Sequence, residues 1–161
     1  MIRPVEPADL APIATIYAHY VEHTAITFDY ESPSVEAWGE RLAAAAQRGH
    51  PWLVAELDEG VAGYTYAAPF RAKPAYARTA ETTIYLSPEA GGRGLGRSLY
   101  EALLSELTAR DFHLVVAGMT LPNPASQRLH RTLGFEPVGV FAQVGYKHGA
   151  WWDVEFLQRR L

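Results

Sequence analysis

Two groups of residues in this chain combine types and spacings that chemistry uses. The first is a glycine run, Gly91, Gly92, Gly94 and Gly96. It lies between Thr82-Thr83-Ile84-Tyr85-Leu86 and a segment with Leu95, Leu99, Ala102, Leu103 and Leu107 at helical spacing. A glycine-rich turn from strand to helix leaves backbone N–H groups bare along the helix axis, where the macrodipole also favours an anion. Gly92, Arg93, Gly94, Leu95, Gly96 and Arg97 therefore read as a phosphate cradle. The bland alternative is a tight turn whose glycines supply positive φ and bind nothing. A Walker A loop needs Lys and Ser/Thr after its last glycine, and here Arg97-Ser98 follows Gly96. The dinucleotide pattern also fails, because its third glycine would fall on Arg97.

The second group is Glu81 and the loop before it. Arg71, Lys73 and Arg78 lie within eight residues of one another, beside Phe70 and Tyr76. A charged loop is commonly just solvated, yet guanidinium forks also suit a carboxylate. Glu81 has two readings: an acid at the mouth of a buried strand that takes an ammonium proton, or a strand-end Glu paired with Arg78 or Lys73. Asn123 is either a loop-initiating residue before Pro124 or a hydrogen-bonding ligand. His130 titrates near neutrality and can move protons, or simply packs beside Phe135. His19 and His23 have a metal-ligand spacing, but Tyr20 stands where the metalloprotease pattern needs Glu. They read as ordinary helix histidines, and no metal is expected.

The elements that must hold these residues follow from periodicity. Ile2 to Val5 reads as a strand. Pro7-Ala8-Asp9 starts a helix with Leu10, Ile13, Ile16, Tyr17 and Tyr20 on one side. Ser32-Pro33-Ser34 offers an N-cap and an N1 proline for a second helix carrying Trp38, Leu42 and Ala45. Trp52–Leu57 and Val61–Ala68 form a hairpin around Asp58-Glu59-Gly60. After the central strand and helix, Leu114–Thr120 is a strand apolar enough to be buried on both faces. A short helix from Ala125 to Thr132 and strands around Val138–Gly145 and Ala150–Leu157 complete the order βααβββαβαββ. This is an α/β (or α+β) chain, and residues 1–161 read as a single domain.

Composition narrows the classes. The hydrophobic content of 48% and charged content of 20% are those of a soluble globular protein. No apolar run approaches the roughly 20 residues of a membrane span, and the N-terminus has no signal-peptide core. A net charge of −4 without a long basic block argues against nucleic acid. The absence of cysteine excludes a thiolate nucleophile. A cytoplasmic enzyme acting on small molecules is the expectation.

The run Gly92-Arg93-Gly94-Leu95-Gly96, between a strand and an amphipathic helix, resembles the pyrophosphate loop of the GNAT acyltransferases. That family's pattern is Gln/Arg-x-x-Gly-x-Gly/Ala. Both glycines are present as Gly94 and Gly96, and Gly91 replaces the usual Gln or Arg. Leu121-Pro122-Asn123-Pro124-Ala125-Ser126, Leu129-His130 and Leu133-Gly134-Phe135 match a second family feature. Pro51 to Glu56, Ala75-Tyr76, Thr79-Ala80-Glu81, Tyr85, Ser87-Pro88 and Gly145 to Gly149 look like the phosphinothricin N-acetyltransferases and their methionine sulfoximine and sulfone relatives. So do Trp151, Asp153, Val154 and Gln158.

The resemblance implies a mixed, mostly antiparallel sheet of about seven strands flanked by four helices. It implies direct transfer of acetyl from acetyl-CoA to the α-amine of a small amino-acid analogue in a ternary complex. Ile84, Tyr85 and Leu86 would then hold the pantetheine arm, one N–H there polarising the thioester, with Asn123 and Ser126 on the other side. Glu81 falls where the subfamily's proposed general base lies. His130 falls where many relatives carry a Tyr that protonates the leaving thiolate. Arg71 would meet the substrate carboxylate, with Ala72 and Lys73 beside it and Phe28, Phe70 and Tyr76 as walls. The Lys147-His148-Gly149 turn would border the site near a homodimer interface. A non-catalytic acyl-CoA-binding module, or a GNAT enzyme with another amine acceptor, are the alternatives.

Overall fold

The computed structural model describes residues 1–90, 92 and 94–161; Gly91 and Arg93, both named in the sequence reading, lie outside the described residues. The chain runs β1 (Ile2–Pro4), α1 (Leu10–His23), α2 (Val35–Gln47), β2 (Trp52–Leu57), β3 (Gly60–Pro69) and β4 (Thr79–Leu86). It continues as α3 (Leu95–Ala109), β5 (Leu114–Thr120), α4 (Pro124–Thr132), β6 (Glu136–Lys147) and β7 (Ala150–Arg160). Short 3₁₀ turns at Pro7–Asp9, Pro74–Tyr76 and Pro88–Ala90 take the three prolines that open them, since a proline ring presets the first position of a helical turn.

Element boundaries differ from expectation in several places. Helix α2 begins at Val35, with Ser34 rather than Ser32 as its N-cap; the Ser34 hydroxyl accepts from the Ala37 N–H at 3.2 Å. Pro33 is therefore outside the helix, one residue before the cap. Strands β6 and β7 run longer than their alternation suggests. Register shifts after Pro137 and between Phe141 and Gly145, with Gln143 at φ +51°, break the two-residue pattern of β6 without ending its pairing.

The seven strands form one sheet in the order β1-β2-β3-β4-β5-β7-β6. All neighbours are antiparallel except β4 and β5, whose parallel pairing covers only Thr79–Glu81 against Leu114–Val116. Strand β4 continues to Leu86 and β5 to Thr120, so beyond Glu81 and Val116 the two strands separate into a wedge. On one face α3 and the end of α4 bury Leu99, Leu103, Leu107, Val115, Ala117 and Phe135. On the other, α1 and α2 bury Ile13, Ile16, Trp38, Tyr64 and Tyr85. Alternation along β4 therefore sends Ala80, Thr82 and Ile84 to the α3 face. Glu81, Thr83 and Tyr85 go to the α1/α2 face.

Candidate active site

The wedge is a cleft of about 340 Å³ that passes between the strands from one face of the sheet to the other. Ile84, Tyr85, Leu86, Asn123, Ser126 and His130, all expected from the sequence, line it together with Thr82, Tyr100, Gly118 and Tyr20. Because β5 has moved away, the β5-facing backbone groups of β4 beyond Glu81 have no ladder partner. A ligand laid along that edge can take their place. The Tyr20 hydroxyl donates to the Leu86 carbonyl at 2.7 Å and fixes the strand's end.

At the mouth of the cleft Gly92 and Gly94 have φ of +78° and +72°, a left-handed conformation that side chains resist. Gly94 is the N-cap of the 15-residue helix α3, and a glycine cap offers no side-chain acceptor to the first turn. The ladder starts with Ser98 N–H donating to the Gly94 carbonyl at 3.2 Å. The N–H groups of Leu95, Gly96 and Arg97 are thus left for an anion. Arg97 pairs with Glu101 at 2.8 Å on the exposed surface. Such a pair is worth about 0.2–1 kcal/mol and does not commit the guanidinium.

On the far side of the cleft, Asn123 is the N-cap of α4, its Oδ1 accepting from the Ser126 N–H at 3.2 Å. The cap commits the carbonyl end and leaves the amide NH₂ as a donor. His130, one helical face further on, is buried in an aromatic trio. Its ring meets Tyr100 and Phe135 edge-on, at 4.9 and 5.0 Å between centroids. Nδ1 lies 2.8 Å from the Ser126 carbonyl, which can only accept, so Nδ1 carries the proton. Nε2 then accepts from the Tyr100 hydroxyl at 2.9 Å, and the Thr82 hydroxyl donates to Tyr100 at 2.7 Å. Burial holds the imidazole below its ordinary pKa, against smaller upward pulls from Ser126 and Glu155.

Glu81 sits on the opposite face, where β4 and β5 part. Neither cation expected to pair with it does so. Arg78 donates to the Asp111 carbonyl at 2.7 Å and lies 3.6 Å from its carboxylate, and Lys73 is exposed on the loop. Burial pushes the Glu81 carboxyl up, and the charge of Arg71 draws it part of the way back. The Arg71 guanidinium lies 5.0 Å from the Phe70 ring, which meets Tyr76 edge-on at 5.6 Å. Phe70, Arg71, Tyr76 and Glu81 are therefore one cluster. Ala72 is exposed beside them. The Phe28 ring is seated on Gly145, leaving no room there for a Cβ, and does not line the pocket beside this cluster. A second pocket of about 460 Å³ adjoins the cluster, bounded by Arg71, Val116, Phe141, Phe156 and Gln158. Register places Val116 between Glu81 and Gln158 on neighbouring strands.

Several members of the site escape sequence reasoning. Thr82 and Phe156 fall within expected strands and Tyr100 within the expected helix without standing out, and only the topology brings them to a cleft or pocket wall. The loop cations did not reveal which of them faces Glu81, because that depends on how the Pro74–Tyr76 turn directs the chain.

The acetyltransferase (GNAT) domain family matches residues 2–155. A phosphinothricin N-acetyltransferase of Streptomyces viridochromogenes is 43% identical, the match covering 98% of this chain and 86% of the relative. An L-methionine sulfoximine/L-methionine sulfone acetyltransferase of Salmonella typhimurium is 37% identical over 99% of this chain and 94% of its own. The crystal structure of a phosphinothricin acetyltransferase from Sinorhizobium meliloti in complex with acetyl-CoA superposes with a TM-score of 0.96. It is 39% identical, covering 100% of this chain and 88% of that one. A cleft open along one strand edge and ending at bare helix N–H groups suits a long thioester with a pyrophosphate near its middle. The chain belongs to the GNAT acetyltransferases, and it is an N-acetyltransferase with acetyl-CoA as cosubstrate.

Proposed function

We propose that the protein, as one domain, acetylates the α-amine of small amino-acid analogues of the phosphinothricin and methionine sulfoximine type. One observation carries this reading. Glu81 is a half-buried carboxylate without an ion-pair partner among the described residues, held next to Arg71 where the cleft opens. An α-amino acid brings an ammonium for the first group and a carboxylate for the second.

The chemistry follows from the placement. Acetyl-CoA supplies an acetyl thioester to the wedge. The N–H groups of Leu95, Gly96 and Arg97, with the positive end of the α3 dipole, hold its pyrophosphate, and Gly92 extends the cradle. The edge of Ile84, Tyr85 and Leu86 aligns the arm, with Asn123 and Ser126 across from it. Arg71 takes the acceptor's carboxylate, and Phe70 and Tyr76 wall its backbone end. The apolar pocket at Val116, Phe141 and Phe156 takes its side chain. Glu81 removes one ammonium proton, which passes on to solvent. The C–N bond forms as the C–S bond breaks. The second proton of the amine ends on the sulfur with the bond's electron pair, and His130 carries it there.

Two further points belong to this reading. A coenzyme A thioester as cosubstrate favours a cytoplasmic setting; no helix among the described residues is long and apolar enough to cross a membrane. Homodimerisation would cover the edge strand β6, where Val140, Phe141, Val144 and Tyr146 are exposed near Trp151.

Thiol release from acetyl-CoA, measured with and without L-methionine sulfone or phosphinothricin, tests the proposal. Release that depends on the amine supports it. Coenzyme A binding by calorimetry without any amine-dependent release would reduce the chain to a binding module.

A further inference from the structure

Neutral His130 has one basic nitrogen, and that nitrogen is covered. The ring is 3% exposed. Its Nδ1–H is spent on the Ser126 carbonyl at 2.8 Å, with the Ser126 hydroxyl 3.3 Å away. Its Nε2 faces only the Tyr100 hydroxyl at 2.9 Å. Tyr100 itself is fully buried, and it lines the inner wall of the cleft together with Thr82 and His130. The single proton of Tyr100 is directed at His130, because Nδ1 holds the imidazole proton and Nε2 can only accept; the Thr82 hydroxyl, 2.7 Å from Tyr100 and 3.3 Å from the Val116 carbonyl, then donates to Tyr100. The edge-on packing of Tyr100 on His130 and Phe135 leaves neither ring free to turn away.

We propose that Tyr100 is a catalytic residue for acetyl transfer: its hydroxyl seals Nε2 of His130 and is the proton relay between His130 and the reacting groups. The proposal rests on the assignment of His130 as the proton carrier. The step balances as follows. As C–N forms, the amine gives its second proton to the Tyr100 oxygen while Tyr100 gives its own to Nε2, leaving an imidazolium. As C–S breaks, the electron pair stays on sulfur. Nε2 returns a proton to the Tyr100 oxygen, and Tyr100 passes one to the sulfur. Tyr100 and His130 end as they began. A hydroxyl donated to Nε2 also favours the neutral imidazole, so His130 starts the cycle able to accept.

The test is Tyr100→Phe, which removes the hydroxyl and keeps the ring packing. The expected result is a fall of about 100-fold in kcat, with KM for acetyl-CoA and for L-methionine sulfone within about twofold of wild type. In the same variant the His130 pKa, followed by nitrogen-detected NMR, rises, because the donor that stabilised neutral Nε2 is gone. Unchanged kcat and unchanged His130 titration would overturn the proposal. The His130→Gln variant separates it from its premise: wild-type kcat there removes the carrier, and the proposal with it. A fall in His130→Gln without one in Tyr100→Phe overturns the role of Tyr100 alone. Should Tyr100→Phe fail to fold, the wild-type spectrum decides. It must show the Nδ1–H tautomer, and an Nε2–H tautomer would refute the arrangement.

Discussion

A carboxylate that takes a proton from an ammonium must be ionised in a place dry enough to make ionisation costly. Glu81 lies between those demands, with burial raising its pKa and Arg71 restraining the rise. Two variants expose the balance. Glu81→Gln lowers kcat by about 100-fold or more at neutral pH, with partial rescue at higher pH where free amine is abundant. Its thermal midpoint should rise above wild type at neutral pH. A carboxyl whose folded pKa is raised gives its full stability only below its unfolded value and loses it as pH increases, so the ionised form strains the fold. A midpoint below wild type would contradict this. Arg71→Gln removes the carboxylate anchor and the restraining charge together. The acceptor KM should rise about 10- to 100-fold, and the acid limb of kcat/KM should move to higher pH. Glu81 and the cationic loop were legible from residue type and position, but not that Arg71, rather than Arg78 or Lys73, supplies the charge that Glu81 feels. The Thr82–Tyr100–His130 chain was not legible, since a tyrosine in an apolar helix stripe carries the same signal whether or not its hydroxyl meets a histidine.

The catalytic geometry is a property of strands that stop pairing. Strands β4 and β5 share three register positions and then part, and everything in the cleft depends on that separation. Sequence patterning reads the individual strands well: Leu114–Thr120 was recovered to the residue. Patterning cannot report that two parallel neighbours diverge, because each strand keeps its alternation. The glycine turn is the other device. Gly94 holds φ at +72° as the cap of α3. Gly94→Ala should cost about 1–2 kcal/mol in urea unfolding through the left-handed backbone. It should also raise KM for acetyl-CoA severalfold while leaving the acceptor KM unchanged. Equal effects on both substrates would mean that the turn does more than hold an anion. The length of β6 and β7 escaped the sequence for a related reason, since bulges shift the side-chain phase without ending the ladder.

At the scale of the whole molecule, β6 ends the sheet with apolar side chains in water. Exposed edges of this kind are usually covered. Wild type should sediment as a dimer, and Val144→Lys, which charges the exposed bulge outside the acceptor pocket, should sediment as a monomer. A monomeric wild type would leave the patch unexplained by self-association. In the proposed mechanism the two faces of the sheet divide the labour, cofactor cradle and His130 by α3 and α4, acceptor and Glu81 by α1, α2 and the Pro74–Tyr76 loop, with the wedge between them. On this proposal, that division ties activity to an acceptor bearing both charges of an amino acid. The direct measurement is mass spectrometry of the products formed from acetyl-CoA and an equimolar mixture of L-methionine sulfone, its α-amide and a peptide with a free N-terminus. The acid alone should be N-acetylated at an appreciable rate. Equal or faster acetylation of the amide or the peptide would contradict an acceptor site built on Arg71 and Glu81.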